Sequence, residues 1–317
     1  MPLTQIEKLG EFKAPNRKPW LFLLAIIAIG FAVYWFFLRN GEEPTTKVSV
    51  PEISLSDISV IELTKNKQQS TEPPPIHVIS SIEKAEKLVA EKKYIDARNE
   101  YLNLLDTISN SDMIARVENA LGEVNIELVM TPRRMPEKQD YLVKPGNSVD
   151  RIAKRFGTTV ELTQINNNLT NPNLIKAGDR FRVFTGKFSL IASKSKNELL
   201  VLMNGSFFKR YPVGMGKYGK TPAGTFKIND KIKNPPWWRP DGREIPFGDP
   251  ENILGTRWME IRATADTEDV RGYGIHGTTD ESSIGKSSSA GCIRMKNSDV
   301  EELFILLPRG TPVTIVE

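Results

Sequence analysis

Hydrophobic positions change their spacing several times along the chain. From Trp20 to Leu38 an uncharged run, WLFLLAIIAIGFAVYWFFL, has no polar period at all. Its 19 residues just reach across a bilayer core, which predicts a transmembrane helix. Residues 39–76 then turn polar and close on Pro73, Pro74 and Pro75, the composition of an extended linker. Weak alternation near Val48 to Ile58 allows one short strand there. Over 77–131 the apolar positions take a helical period. Tyr94, Ala97, Tyr101, Leu104 and Ile108 form one stripe, and Val117, Leu121, Val124 and Leu128 another. With a helix over about Ser81 to Lys92, three helices are expected.

Residues 140–184 read as strand, helix, helix, strand. Ser148 and Thr159 are placed to cap the two helices and Gly157 to end the first. From 187 to 317 the pattern alternates with period two, between turns. Asn204-Gly205 is a strong hairpin signal there. Short strands at this spacing predict a mainly β sandwich or barrel-like sheet. Ser298 to Glu301 has the form of a capping box opening a helix that ends before Pro308. Pro312 to Val316 supplies a last strand.

Composition adds little to this picture. The chain has 317 residues, 39% hydrophobic and 26% charged, enough for about two domains. A net charge of +4 is spread out and no nucleic-acid motif accompanies it, so nucleic acid is not an expected partner. An anionic cell wall is the softer reading of the same charge. Lys8, Lys13, Arg17 and Lys18 precede the apolar run, and Arg39, then Glu42 and Glu43, follow just after it. That asymmetry predicts a cytoplasmic tail (1–19), an uncleaved anchor (20–38) and everything beyond it outside the membrane. No small-x-small site follows Leu38, which argues against a cleaved signal peptide.

Candidate chemistry is sharply localised. The one cysteine, Cys292, follows Ser289, Ala290 and Gly291 and precedes Ile293, Arg294 and Met295. His276, one of two histidines, stands sixteen positions earlier before Gly277 and Thr278. A thiol becomes a nucleophile as thiolate, and imidazole is the commonest base to make one. Small residues before the sulfur suit a turn whose backbone N–H groups face an oxyanion. The other histidine, His77, sits beside the proline run. No Cys/His cluster has metal-ligand spacing, and neither metal nor cofactor is expected.

The HGT run at 276–278 followed by S-x-G-C-I-R-M resembles the catalytic signature of the YkuD-type L,D-transpeptidases. The resemblance extends to Thr221-Pro222-Ala223-Gly224-Thr225-Phe226 and Asn234-Pro235-Pro236-Trp237. Ala290 departs from it, since many members carry a second histidine there. It implies a peptidoglycan stem tetrapeptide as substrate, attacked by Cys292 with His276 as proton acceptor and donor. D-Ala would leave, and an amine would take the acyl group from a thioester to form a 3→3 cross-link. L,D-carboxypeptidase or endopeptidase activity on the same fold is the alternative, and a catalytically silent wall-binding scaffold a third. The resemblance implies that the Gly277 carbonyl orients the imidazole, and neither Asp280 nor Glu281 is expected to complete a triad. Backbone N–H groups around Gly291 and Cys292, the Gly291 N–H first among them, are expected to hold the oxyanion. Arg294 is expected to pair with a substrate carboxylate and lower the thiol pKa. Ser289 has two readings, a substrate contact or a turn contact, and Trp237 two, a cleft wall or core. Trp258 and Tyr273 are read as core.

Residues 140–184 resemble a LysM module, which implies binding of N-acetylglucosamine-containing glycan strands at Gly146, Asn147, Ser148, Asn173, Leu174 and Ile175. The helical turn at Glu91 to Ala97 resembles a tetratricopeptide hairpin. The 77–131 segment is then a packing or spacer module, or a dock for a protein partner.

Overall fold

The structure is a computed structural model that describes residues 76–265 and 267–317. The expected tail, anchor and most of the linker, including the short strand near Val48, lie outside the described residues. No described helix is long and apolar enough to cross a membrane.

Three helices come first: α1 (Ile76–Ala90), α2 (Tyr94–Thr107) and α3 (Ser111–Val129). The first starts earlier than the stripe suggested, because Val78 already joins Ile82 and Ala85 on the buried face. His77 therefore lies on an exposed first turn of helix. Asn110 caps α3, its side chain accepting from the Asp112 and Met113 N–H groups at 3.0 and 3.1 Å.

Next, β1 (Lys138–Leu142), α4 (Val149–Phe156), α5 (Val160–Asn166) and β2 (Arg180–Phe184) close a small unit. The two strands pair antiparallel, with Val143, Val149, Ile152, Phe181 and Val183 as core. Ser148 and Thr159 accept from the Arg151 and Leu162 N–H groups, and Gly157 adopts φ +66° to end α4.

The remainder is mainly β. It comprises β3 (Phe188–Ser193), β4 (Glu198–Met203), β5 (Ser206–Pro212), β6 (Met215–Gly216), β7 (Gly224–Lys233), β8 (Trp237–Trp238), β9 (Glu244–Ile245), β10 (Arg257–Ala263), β11 (Gly274–His276), β12 (Ser287–Ser289), β13 (Ile293–Arg294), α6 (Asn297–Leu306) and β14 (Pro312–Val316). Eight strands make one curled sheet in the order β13-β11-β10-β7-β14-β3-β4-β5, accompanied by the pairs β12-β6 and β8-β9. Two large stacked sheets, one form of the expected architecture, are therefore not what the described residues build. Asn204 (φ 52°) and Gly205 (φ 82°) make the left-handed turn between β4 and β5.

The expected capping box does not form. Helix α6 starts at Asn297, which places Ser298 inside its first turn, bonded to Asp299 rather than to a backbone donor. The helix is set earlier because Asn297 is drawn to the neighbouring loop, as described below.

Modules touch through specific polar contacts. Helix α3 packs on β5, the edge strand farthest from β13. There Asn125 Nδ2 donates to the buried Phe208 carbonyl at 2.8 Å, and Arg210 forks onto Glu118 with both bonds at 2.8 Å. Thr159 Oγ1 donates to the Ile305 carbonyl and Lys187 Nζ to that of Phe156, joining the small βααβ unit to the sheet domain.

Candidate active site

Parallel pairing of β11 with β13 puts His276 opposite Arg294 and so brings the Cys292 turn beside the histidine strand. The Met295 N–H donates to the His276 carbonyl at 2.8 Å, fixing that register. Cys292 is half-buried, whereas His276 is 2% exposed.

The imidazole is held by a hydrogen bond and by a stacked ring. Its Nδ1 lies 2.6 Å from the Gly277 carbonyl, which makes Nδ1 the protonated nitrogen and Nε2 the acceptor of the neutral ring. Trp258, its antiparallel partner on β10, stacks on the ring with centroids 5.7 Å apart and planes 28° apart. Trp258 thus belongs to the wall of the site rather than to a remote core; an aromatic on the strand before a motif gives no sequence signal of this. Asp280 accepts from Ser282 and caps a short 3-10 turn, and among the described residues no carboxylate bonds the ring.

Burial pulls His276 down to about 4, helped by the Arg294 charge and opposed by bonds to the Gly277 and Leu254 carbonyls. Burial also pushes the Cys292 thiol up, although a Gly274 backbone bond and the Arg294 charge pull the other way. The Arg294 charge does lower the thiol pKa, but desolvation outweighs it and leaves the thiol raised. The resting pair is a neutral thiol and a neutral imidazole. Cys292 Sγ itself points at the Gly272 carbonyl, 3.6 Å away.

The nucleophile turn is tied internally. Ser289 Oγ donates to the Cys292 carbonyl at 2.7 Å and accepts from the Gly291 N–H at 3.0 Å. Of its two readings, Ser289 therefore takes the turn contact. The same bond corrects the expected role of Gly291, whose N–H is engaged and not free for an oxyanion. Gly291 has φ +140°, and a Cβ there would lie 2.5 Å from the Tyr273 ring, so the position admits only glycine. Tyr273 is thus a packing surface for the turn.

Arg294 is half-buried, and its Nε has no partner. Trp237 is half-buried on the β8-β9 hairpin, with the Arg239 guanidinium 5.8 Å from its ring.

Asn297 was not foreseen. Its Oδ1 accepts from the Thr256 N–H at 3.1 Å and its Nδ2 donates to the Thr278 carbonyl at 3.0 Å. With the Gly277 N–H donating to Arg257, these bonds lock the peptides around the carbonyl that holds His276.

In the βααβ unit, Gly146 turns with φ +78°. Asn147 Oδ1 accepts from the Lys144 N–H and the Tyr141 hydroxyl, and Ser148 is used as a cap. Asn173 donates its N–H to Asn171, Leu174 is 73% exposed, and Ile175 packs against the module core. Asn147 and Ser148 thus serve the loop itself, while Leu174 presents free apolar surface.

Residues 187–315 match the L,D-transpeptidase catalytic domain of the YkuD family, and 141–184 match the LysM domain. Two Bacillus subtilis proteins that carry L,D-transpeptidase names are similar. YqjB is 41% identical over 129 residues, covering 40% of this chain and 70% of its own. YkuD is 33% identical over 183 residues, covering 55% of this chain and 97% of its own. A solved L,D-transpeptidase from Mycobacterium smegmatis aligns at 23% identity with a TM-score of 0.33, over 44% of this chain and 64% of that one.

Proposed function

The chain belongs to the YkuD family of L,D-transpeptidases, and from that premise we propose a cysteine acyl transfer in which Cys292 and His276 do the chemistry. The enzyme is a peptidoglycan L,D-transpeptidase, and its LysM module directs it to the same polymer. The observation that carries the mechanism is the 2.6 Å contact between His276 Nδ1 and the Gly277 carbonyl, which leaves Nε2 to accept a proton.

Both groups rest neutral, so proton transfer accompanies attack. The thiol proton passes to His276 Nε2 as Sγ bonds to the carbonyl carbon preceding the terminal D-Ala. The Cys292 N–H holds the oxyanion. Collapse breaks the C–N bond, His276 returns the proton to the departing amine, and a thioester remains. An acceptor amine then attacks the thioester, gives its proton to His276, and the thiol is restored by that proton. The product is a 3→3 cross-link. Arg294, with an unpartnered Nε, pairs with a substrate carboxylate.

Glycan binding is assigned to the loops at Gly146 to Ser148 and Asn173 to Ile175, with Leu174 as the apolar contact. Tethering a weak glycan site to the catalytic domain raises the local substrate concentration. The helical segment, tetratricopeptide-like in its first turn, serves as a packing module; the seat of α3 on β5 favours that over a dock for a partner. Residues 20–38 anchor the chain once in the membrane with its N-terminus cytoplasmic and the catalytic domain in the periplasm or cell-wall space, a reading supported by the charge asymmetry around that run.

The test is mass spectrometry of disaccharide-tetrapeptide incubated with the enzyme, with Cys292→Ala as control. Dimers that have lost D-Ala are expected. Tripeptide monomers alone would reassign the enzyme as a carboxypeptidase, and unchanged substrate would favour a scaffold.

A further inference from the structure

The short loop after β6 is built in an unusual way. Residues Lys217–Gly219 form a 3-10 turn, yet Tyr218 sits inside it at φ 53°, ψ 36° and Gly219 follows at φ +70°. Left-handed backbone disfavours an aromatic residue. Nothing repays it by packing, since Tyr218 is 95% exposed. The turn's base, in contrast, is fixed. The Gly216 N–H donates to the buried Thr221 hydroxyl at 2.8 Å, and the Lys220 N–H to the Lys217 carbonyl at 3.1 Å. The fold therefore holds the tyrosine out.

That base touches the nucleophile turn. A Cβ on Gly216 would lie 2.9 Å from the Gly291 Cα, and one on Gly291 would lie 3.2 Å from the Lys220 carbonyl. Strand β6 also pairs with β12, which leads into Ser289 and Cys292. Three lysines, Lys217, Lys220 and Lys286, stand exposed on this rim, and none makes an ion pair or side-chain hydrogen bond among the described residues. The neighbouring Lys194 is neutralised by Glu317 at 2.8 Å. Three unpaired cations beside a presented aromatic ring complement an anionic ligand with some apolar surface.

We propose that Lys217, Tyr218 and Lys220, with Lys286, form a specificity subsite for an acidic donor peptide, binding a carboxylate other than the one lost with D-Ala. The proposal rests on the acyl-transfer reading of Cys292. It makes the loop a determinant of which stem peptides are used, through binding and not through the chemical step.

Two probes test it: a synthetic stem tetrapeptide with free internal carboxylates, and the same peptide with them amidated. Binding is measured by calorimetry to the full chain carrying Cys292→Ala, so that no turnover intervenes. The free-acid peptide is expected to bind about tenfold tighter, the scale of one charge-assisted contact. Adding Lys217→Gln and Lys220→Gln should erase that preference. Tyr218→Gly keeps the backbone shape, removes the ring, and should weaken both peptides severalfold. Equal binding of the two peptides, no binding of either, or an unchanged preference in the double glutamine variant would overturn the subsite. Release of D-Ala by the chain with Cys292 intact is scored separately. Its absence would count against the acyl-transfer reading, while the binding preference still judges the loop.

Discussion

The Asn297 side-chain amide donates to the Thr278 carbonyl at 3.0 Å, tying the first residue of α6 to the loop that follows the histidine strand. Its Oδ1 takes the Thr256 N–H from the opposite side. The Gly277 carbonyl that orients His276 is thereby held without touching Asn297's donor.

Asn297→Ala should therefore slow the chemical step more than it weakens binding. A drop in kcat of about tenfold to a hundredfold with KM little changed is expected, because small misplacements of a catalytic group cost that much. Steady-state D-Ala release measures both. An unaltered kcat in a folded variant would show that Asn297 does not position the base.

The pH dependence follows from burial. With His276 at about 4, kcat/KM should rise through about pH 4 and stay level through neutrality, because only neutral imidazole accepts the thiol proton. An acid limb near the ordinary histidine value would contradict this. Trp258→Ala opens the ring to water and should move the limb upward. His276→Ala should cost about a hundredfold or more at pH 7, and a normal rate there would remove His276 as the base.

Stability has a matching sign. Between about 4 and 6.5 the unfolded chain binds the His276 proton and the folded chain does not, so stability rises with pH across that window and is level above it. The full effect is about 3 kcal/mol. Urea denaturation of the enzyme and of His276→Gln at pH 4 and pH 7 checks it; the variant should lose most of the slope.

Gly291→Ala should abolish turnover. The new methyl meets the Tyr273 ring, and φ +140° is closed to alanine, so the Cys292 turn must move. Retained activity would mean that the turn is more plastic than its contacts indicate.

Asn125→Ala should destabilise the catalytic sheet from outside it. Losing the donor to the Phe208 carbonyl strands a buried acceptor, at a cost of about 1–3 kcal/mol. One cooperative melt shifted to lower temperature is expected. An unshifted transition for the catalytic domain would show that the helices are only a spacer.

Much of the local structure and the choice of chemistry was legible in the chain itself. Ser148, Gly157, Thr159 and Asn204-Gly205 act within a few residues, so their caps and turns survive in any tertiary setting. The single cysteine and the histidine sixteen positions before it became the candidate reactive pair through the family signature they resemble. The capping box at Ser298 misled, because the tertiary hold on Asn297 sets the start of α6 earlier. Tertiary structure alone decided the rest. The parallel pairing of β11 with β13 sets His276 beside the thiol turn. Ser289 takes the Gly291 N–H, which engages that donor within the turn. Asn297 reaches Thr256 from 41 positions away. The direction of the thiol pKa also came from the fold, because desolvation sums over every neighbour that excludes water, whereas the sequence displays only the charge on Arg294.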